Sequence, residues 1–147
     1  MARKTESDFD VPSPMGLSDA LELTLELAQR QATRKRRRPT MRETEWLTIQ
    51  AALEQFDHLL MEHWETLDAL PRRRQGGTGS RVRAIWRLAD GLRVEQRPSE
   101  ALLLASRLAE DELREHPQTD SSARDAVNWA LYFVERHGQA LDECFAG

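Results

Sequence analysis

The sequence predicts an all-helical protein folded as one domain, a bundle of about five helices built around one long central helix. Apolar residues recur every three or four positions through most of the chain, which is the spacing of one helix face. Ser, Thr or Pro stands before each periodic stretch, as helix caps do, and no run of β-branched residues indicates a strand. The chain has 147 residues, which is the size of one ordinary domain.

The long central helix is predicted over about residues 41–70. Thr40 and Glu43 have the spacing of a capping box at its start, and Pro71 prevents its continuation. At 1.5 Å per residue such a helix is about 45 Å long. We expect its apolar stripe to be buried, with the middle members at the centre of the core. The stripe consists of Trp46, Ile49, Leu53, Phe56, Leu60, Trp64, Leu67 and Leu70, and its middle members are Leu53, Phe56 and Leu60.

A shorter helix precedes the long one. Ser18 can cap a helix that begins at Asp19 and must end by Pro39. Residues 1–16 contain two prolines and Gly16, and we interpret them as a flexible or partner-ordered N-terminal arm. The helical bundle domain is then residues 17–147.

The second half of the chain predicts three more helices and a short terminal one. The first follows Ser80 and ends near Gln96, and the second begins at Pro98 or Ser99 and ends before Pro117. The third follows Ser122, and Gly138 suits the left-handed position just past its end. Residues 139–145 add a last helical turn or two. The predicted buried face of the helix after Ser80 is Val82, Ile85, Trp86, Ala89 and Leu92.

Charge is distributed very unevenly along the chain. The 21 basic and 25 acidic residues give a formal net charge of -4. Residues 1–98 hold 17 basic and 15 acidic groups, whereas residues 99–147 hold 4 basic and 10 acidic groups. Seven basic residues and no acid lie between Arg30 and Arg42, and nearly all the basic residues are arginines. Such clusters indicate an anionic partner, although the whole chain is acidic.

We expect no enzymatic activity, no cofactor and no metal site, because no catalytic or ligand motif is complete. His58 and His63 are five apart, whereas a metalloprotease helix needs two histidines four apart. The glycine-rich stretch before Ser80 lacks the lysine and the preceding strand of a phosphate loop. The acidic neighbours of Cys144, the single cysteine, favour its unreactive thiol form. Neither a secretion signal nor a membrane span is recognisable, so we expect a cytoplasmic protein.

The arginines carry the functional hypothesis. Two basic segments, residues 30–42 and 72–87, provide planar guanidinium groups that bond phosphate oxygens bidentately. We therefore predict a small helical accessory protein that binds RNA or DNA mainly through arginine–phosphate contacts, alone or as a subunit of a larger nucleoprotein complex. The predicted contact residues are Arg34, Lys35, Arg36, Arg37, Arg38, Arg42, Arg72, Arg73, Arg74, Arg81, Arg83 and Arg87.

Two other interpretations stay open. Charge runs are often solvated surface residues, and cations near a helix end are favoured by the helix dipole alone. The protein is alternatively a helical interaction module, such as an adaptor, antitoxin-like regulator or assembly factor, whose acidic C-terminal helices meet a protein partner without nucleic-acid contact. Exposure of both arginine clusters on one face would favour nucleic acid, whereas ion pairs with Glu110–Glu115 would make the charges structural.

Overall fold

The computed structural model describes residues 15–72, 85–117 and 121–145 of the chain, without the side chain of Arg72. These residues form four α-helices and one two-stranded antiparallel sheet, with a 3-10 turn, Leu70–Arg72, after the second helix. The elements are α1 (Leu17–Arg36), α2 (Glu43–Ala69), β1 (Ile85–Arg87), β2 (Arg93–Glu95), α3 (Pro98–Glu115) and α4 (Ser121–Cys144).

The predicted helical bundle is confirmed in its class, and the predicted count of five helices is not. Helices α1 and α3 each pack against the three other helices, so they occupy the centre of the bundle. Helix α2 is the longest of the four, at 27 residues, but it lies to one side of this centre. Large apolar side chains close the core between the helices. The largest fully buried ones include Leu21, Leu27, Phe56, Leu102, Trp129 and Phe133.

Three polar contacts between helix ends record how the helices run relative to one another. The backbone N–H of Ser18 donates to Asp68 Oδ1 at 2.9 Å, so α1 and α2 are antiparallel. The backbone N–H and the hydroxyl of Ser99 both donate to the Asp142 carboxylate, so α3 and α4 are antiparallel as well. Because free helix-end N–H groups are costly to bury, each carboxylate acts as a cap supplied by the neighbouring helix.

The apolar stripe of α2 is buried only in part. Phe56 is fully enclosed, as predicted, whereas Leu53 and Leu60 are half-buried and Leu59 takes the enclosed position. Trp64 is 49% exposed. The backbone leaves helical geometry at His63, with φ -135° and ψ 25°. This interruption changes the rotational phase of the residues that follow, so a continuous helical wheel misplaces them.

Both predicted N-terminal caps of the first two helices were wrong. Helix α1 begins at Leu17 after Gly16, and α2 begins at Glu43 after Arg42, in each case without a side-chain cap hydrogen bond. The expected Thr40–Glu43 capping box is therefore not formed. At α3, by contrast, Pro98 is the first helical residue, and Glu100 accepts from the backbone N–H of Arg97 at 2.9 Å. This bond satisfies the backbone N–H at the start of the helix, and the Arg97 guanidinium donates to the same carboxylate at 3.1 Å.

Gly138 lies inside α4 and not past its end, which corrects the predicted break before residue 139. The helix continues to Cys144. A Cβ atom at Gly138 would lie 3.2 Å from the Cβ of Ser99, so glycine permits the close approach of α3 and α4. The expected short terminal helix is thus the last part of α4.

Residues 85–95 form a β-hairpin, and the helix predicted here was wrong. Trp86 pairs with Val94, and Arg87 pairs with Arg93. Asp90 and Gly91 lie in the turn, where Gly91 has φ 92°. The N–H of Gly91 donates to the carbonyl of Leu88, and the N–H of Leu88 donates to the carbonyl of Leu92. A three-residue turn that ends in a left-handed glycine is a common hairpin connection, and it is incompatible with a continuing helix.

The ends of the described chain bear on two further expectations. Most of the proposed N-terminal arm lies outside the described residues, but Met15 packs against the core and its carbonyl accepts from Trp129 Nε1 at 2.9 Å. None of the four described helices has the length and apolar character that crossing a membrane requires.

Candidate nucleic-acid interface

The structure brings six of the predicted contact residues together at the junction of α1 and α2. They are Arg34, Lys35, Arg36, Arg37, Arg38 and Arg42. Arg87 lies apart from them, on β1. The side chain of Arg72 and the predicted contacts Arg73, Arg74, Arg81 and Arg83 lie outside the described residues. Their part in the second basic segment therefore stays a prediction.

Arg34 is held by the acidic helix α3. Its Nε donates to Glu112 Oε1 at 3.0 Å, and its Nη2 donates to Glu112 Oε2 at 3.2 Å. The Glu112 side chain is only 1% exposed, whereas the Arg34 side chain is 44% exposed. A buried carboxylate needs such a bidentate partner, because burial without one is costly. Arg34 therefore has a structural role.

Arg38 makes a second, weaker contact with the same helix. Its Nη2 lies 3.4 Å from Glu115 Oε1, and both side chains are partly exposed. This contact again joins the end of α1 to the end of α3, which shows that these two helices run parallel. Two of the six clustered cations are thus paired within the Glu110–Glu115 segment, the arrangement that makes those charges structural.

Arg36 packs on an aromatic ring. Its guanidinium carbon lies 4.8 Å from the centroid of the Trp46 ring, across the junction between α1 and α2. Such a stack fixes the guanidinium plane and leaves its edge N–H groups available to an acceptor. Arg36 is exposed, so its position is defined while its donors still face solvent.

The remaining cations at this junction have no ion-pair partner in the described part of the chain. Arg37 and Arg42 are exposed, and Lys35 is half-buried. We call Lys35, Arg36, Arg37 and Arg42 the basic corner. The uncapped N-terminus of α2 adds partial positive charge there, which Glu43 and Glu45 in its first turn partly offset.

A second group of arginines lies on the hairpin. Arg87 and Arg93 face each other across the two strands, and both are exposed. Sequence reasoning missed Arg93, because the helix expected over this segment placed Arg87 beside Arg83 instead. The Asp90-Gly91 pair is a strong hairpin-turn signal, and polar and apolar residues alternate in Arg93-Val94-Glu95 after it. Together these two features would have predicted the strand that carries Arg93.

The hairpin is fixed against the side of α2. The N–H of Ala89 donates to Glu54 Oε1 at 2.9 Å, and the Trp86 ring lies 5.4 Å from the His58 ring. Gln96 Nε2 donates to the carbonyl of Thr48 at 3.5 Å. These contacts turn one face of the hairpin toward α2 and leave the face with the arginines outward.

A groove of about 710 Å³ lies between α3 and α4, and its lining holds three acids against two arginines. Arg97 and Arg107 line it together with Glu100, Glu135 and Asp142. Burial by itself raises the pKa of Glu100. Hydrogen bonds from the backbone N–H and the guanidinium of Arg97, together with the charge of that guanidinium, outweigh burial and lower this pKa below its ordinary value. The hydrogen bond to Glu100 likewise raises the pKa of Arg97. Because Arg97 is already paired, this groove is a poor site for an anion.

Two histidines of α2 lie close together, but the described residues contain no arrangement that could hold a metal ion. The His58 and His63 rings lie 5.5 Å apart, but no group of three or more His, Cys, Asp or Glu residues there is arranged to hold a metal ion. Cys144 is exposed and forms no disulfide.

The chain was compared with protein-family models, with curated proteins and with solved structures, and it matches none of them.

Proposed function

We propose that the protein binds nucleic acid through contacts between the basic corner and the phosphate backbone. The observation that supports this proposal is the difference between neighbouring cations on one helix end. Arg34 and Arg38 are paired with acids of α3, whereas Arg37 and Arg42 are exposed without an ion pair among the described residues. The fold thus pairs part of the cluster with acids of α3, and the exposure of the other cations supports contact with an external anion.

The chemistry of the basic corner suits a polyanion better than a single small anion. Its cations come from a helix end, a loop and the start of a second helix, and three of the four are exposed, an arrangement that suits several acceptors better than one. Guanidinium groups bond phosphate oxygens bidentately, and each contact releases counterions from the nucleic acid. Affinity is therefore expected to fall steeply as salt rises, with little dependence on base sequence.

Fluorescence anisotropy with labelled oligonucleotides at several salt concentrations tests this function. The double variant Arg37→Ala/Arg42→Ala is expected to lower the slope of log K against log salt by about 1.4–1.8, since each phosphate contact contributes about 0.7–0.9. The matched control is Arg30→Ala/Arg38→Ala, because Arg30 and Arg38 are paired with Glu26 and Glu115. It removes the same charge and is expected to change the slope much less. Absence of binding by the wild-type chain at low salt, or equal losses in both variants, contradicts the proposal.

A protein-interaction function has its own observation. Met61 is 71% exposed and Trp64 is 49% exposed, and they lie three residues apart on α2, on either side of its break at His63. Large apolar side chains exposed together are typical of contact surfaces. If the wild-type chain binds no oligonucleotide, this function becomes the leading one. A partner that co-purifies with the wild type and is lost from Met61→Ser/Trp64→Ser would then support it.

A further inference from the structure

Arg36 differs from the other exposed cations of the basic corner, because its guanidinium lies on an aromatic ring. The guanidinium carbon is 4.8 Å from the centroid of the Trp46 ring, and we call these two residues the stacked pair. Trp46 is half-buried and packs against the apolar core, whereas Arg36 is exposed. Arg36 is therefore the outer layer of the stack, on the side of the solvent.

The backbone that carries the stacked pair is held by hydrogen bonds. Arg36 is the last residue of α1, and Trp46 is the fourth residue of α2. Between them, the N–H of Arg38 donates to the carbonyl of Lys35 at 3.0 Å, and the N–H of Met41 donates to the carbonyl of Arg38 at 3.1 Å. Met41 also packs against the core. A guanidinium on such a support loses little further conformational freedom when a ligand binds, which favours binding.

The charges around the stacked pair leave a positive excess, but they are not uniform. Of the six cations at the junction of α1 and α2, two are paired with acids of α3. Glu43 and Glu45 are exposed in the turn of α2 that contains Trp46, so an excess of two positive charges remains. These two carboxylates disfavour a phosphate over the ring, whereas an uncharged base is not repelled there. The stack therefore suits a base, and the other exposed cations suit the phosphates.

We propose that the stacked pair is a platform for an unpaired nucleobase, so that the protein binds single-stranded nucleic acid. This inference rests on the nucleic-acid function proposed above. Unpaired bases stack on aromatic rings and on arginine guanidinium planes, whereas the base faces of a duplex are covered by their neighbours. A base on the outer face of Arg36 adds one layer to the stack, while Arg37 and Arg42 contact adjoining phosphates. Because every base has such a face, the platform does not select a sequence.

Anisotropy with four labelled probes of one sequence tests this proposal. The probes are a DNA strand of about 12 nucleotides, the RNA strand of the same length, the DNA duplex, and a DNA strand in which every base is replaced by an abasic site. The abasic strand keeps the phosphates but offers no base to stack. The wild-type chain is expected to bind the DNA and RNA strands at least about fivefold more tightly than the abasic strand, the lower end of what one stacked base contributes. The tighter of the two complete strands identifies the preferred sugar.

A charge-preserving variant isolates the stack from simple attraction. Arg36→Lys keeps the charge but loses the planar guanidinium. Its affinity for the DNA and RNA strands is expected to fall about fivefold, with little change on the abasic strand and the duplex and with an unchanged salt slope. Arg37→Lys is the matched control, since Arg37 is the exposed neighbour without a ring contact among the described residues. Any loss in this control is expected to be equal on all four probes.

A second variant tests the support beneath the guanidinium. Trp46→Leu keeps an apolar side chain but removes the ring on which Arg36 lies, so it is expected to weaken binding to the single strands as Arg36→Lys does. Circular dichroism checks that each variant is folded. A folded Trp46→Leu chain that binds the single strands as the wild type does contradicts the platform. If Trp46→Leu does not fold, Arg36→Lys on the surface decides the question.

The outcomes separate this inference from the function on which it rests. Binding of the wild type to none of the probes overturns both. Salt-dependent binding that is equal for the complete and abasic strands, or an equal loss on all four probes in Arg36→Lys, overturns the platform alone. In that case the nucleic-acid function stands.

Discussion

Arg34 and Arg38 show that residue type and spacing do not define a role. They are one helical turn apart near the end of α1, and both contact α3. Glu112, the partner of Arg34, is buried, whereas Glu115, the partner of Arg38, is 36% exposed. The burial of the acid decides how much each contact contributes, because a carboxylate that water can reach needs no partner.

Arg34→Ala is expected to destabilise the fold by about 1–3 kcal/mol, because it leaves the Glu112 carboxylate buried without its donors. Arg38→Ala is expected to cost less than about 1 kcal/mol, as exposed ion pairs do. Urea denaturation followed by circular dichroism gives both values. The double variant Arg34→Met/Glu112→Leu, which replaces the pair by apolar groups, is expected to recover most of the loss. Equal stability of Arg34→Ala and the wild type would contradict the structural role of this pair.

The sequence alone could not predict which acid pairs with Arg34. Within α3, Glu110 and Arg114 are four residues apart, a spacing typical of ion pairs, but Arg114 pairs with Asp111 instead. Which acid of the segment faces α1 depends on how the two helices are rotated about their axes. That rotation is set by packing of the whole core, and local sequence does not contain it.

At the scale of elements, the hairpin segment has apolar residues at helical spacing although it forms two strands. Ile85, Trp86, Ala89 and Leu92 have helical spacing, yet Ile85 and Leu92 are among the most exposed large apolar residues of the described chain. The segment is short, so the period was poorly determined. Gly91 was the more informative residue, because its positive φ permits the turn and its flexibility disfavours a helix.

Gly91→Ala is expected to weaken the hairpin, because a Cβ at φ 92° is strained by about 1–2 kcal/mol. The amide proton of Leu88, which bonds across the turn, is expected to exchange about 5- to 30-fold faster than in the wild type. Hydrogen exchange observed by NMR measures this directly. Gly91→Asn is the control. Because asparagine tolerates the left-handed conformation better than alanine, its exchange rate should lie between those of the wild type and Gly91→Ala. Unchanged exchange in Gly91→Ala would show that the turn is not held by Gly91.

For the whole molecule, the all-helical class and the approximate limits of four helices could be predicted from periodicity and prolines. The central position of α1 and α3 could not, because the long apolar stripe of α2 suggested that it was the centre. Length and apolar content describe how much a helix can bury. Position in the bundle depends on how many faces are covered, and the small residues on α1 and α3, such as Ala20, Ala28, Ala105 and Ala109, are fully buried between neighbours.

The acidic second half of the chain folds back on the basic first half. Glu112 and Glu115 at the end of α3 pair with Arg34 and Arg38 at the end of α1. The charge asymmetry read from the sequence is therefore partly cancelled where the two halves meet. The positive charge available to a partner therefore depends on single carboxylates. This dependence makes the proposed function sensitive to one exposed acid, Glu115.

Glu115→Gln is expected to raise the affinity for oligonucleotides, because it releases Arg38 to join the basic corner. The slope of log K against log salt is expected to steepen by about 0.7–0.9, the contribution of one added phosphate contact. Glu110→Gln is the matched control: Glu110 is exposed on the same helix, and its neutralisation changes the net charge equally without releasing an arginine. Anisotropy titrations at several salt concentrations compare the two. If both variants change the slope by the same amount, the effect is one of net charge, and Arg38 is not held in reserve by Glu115.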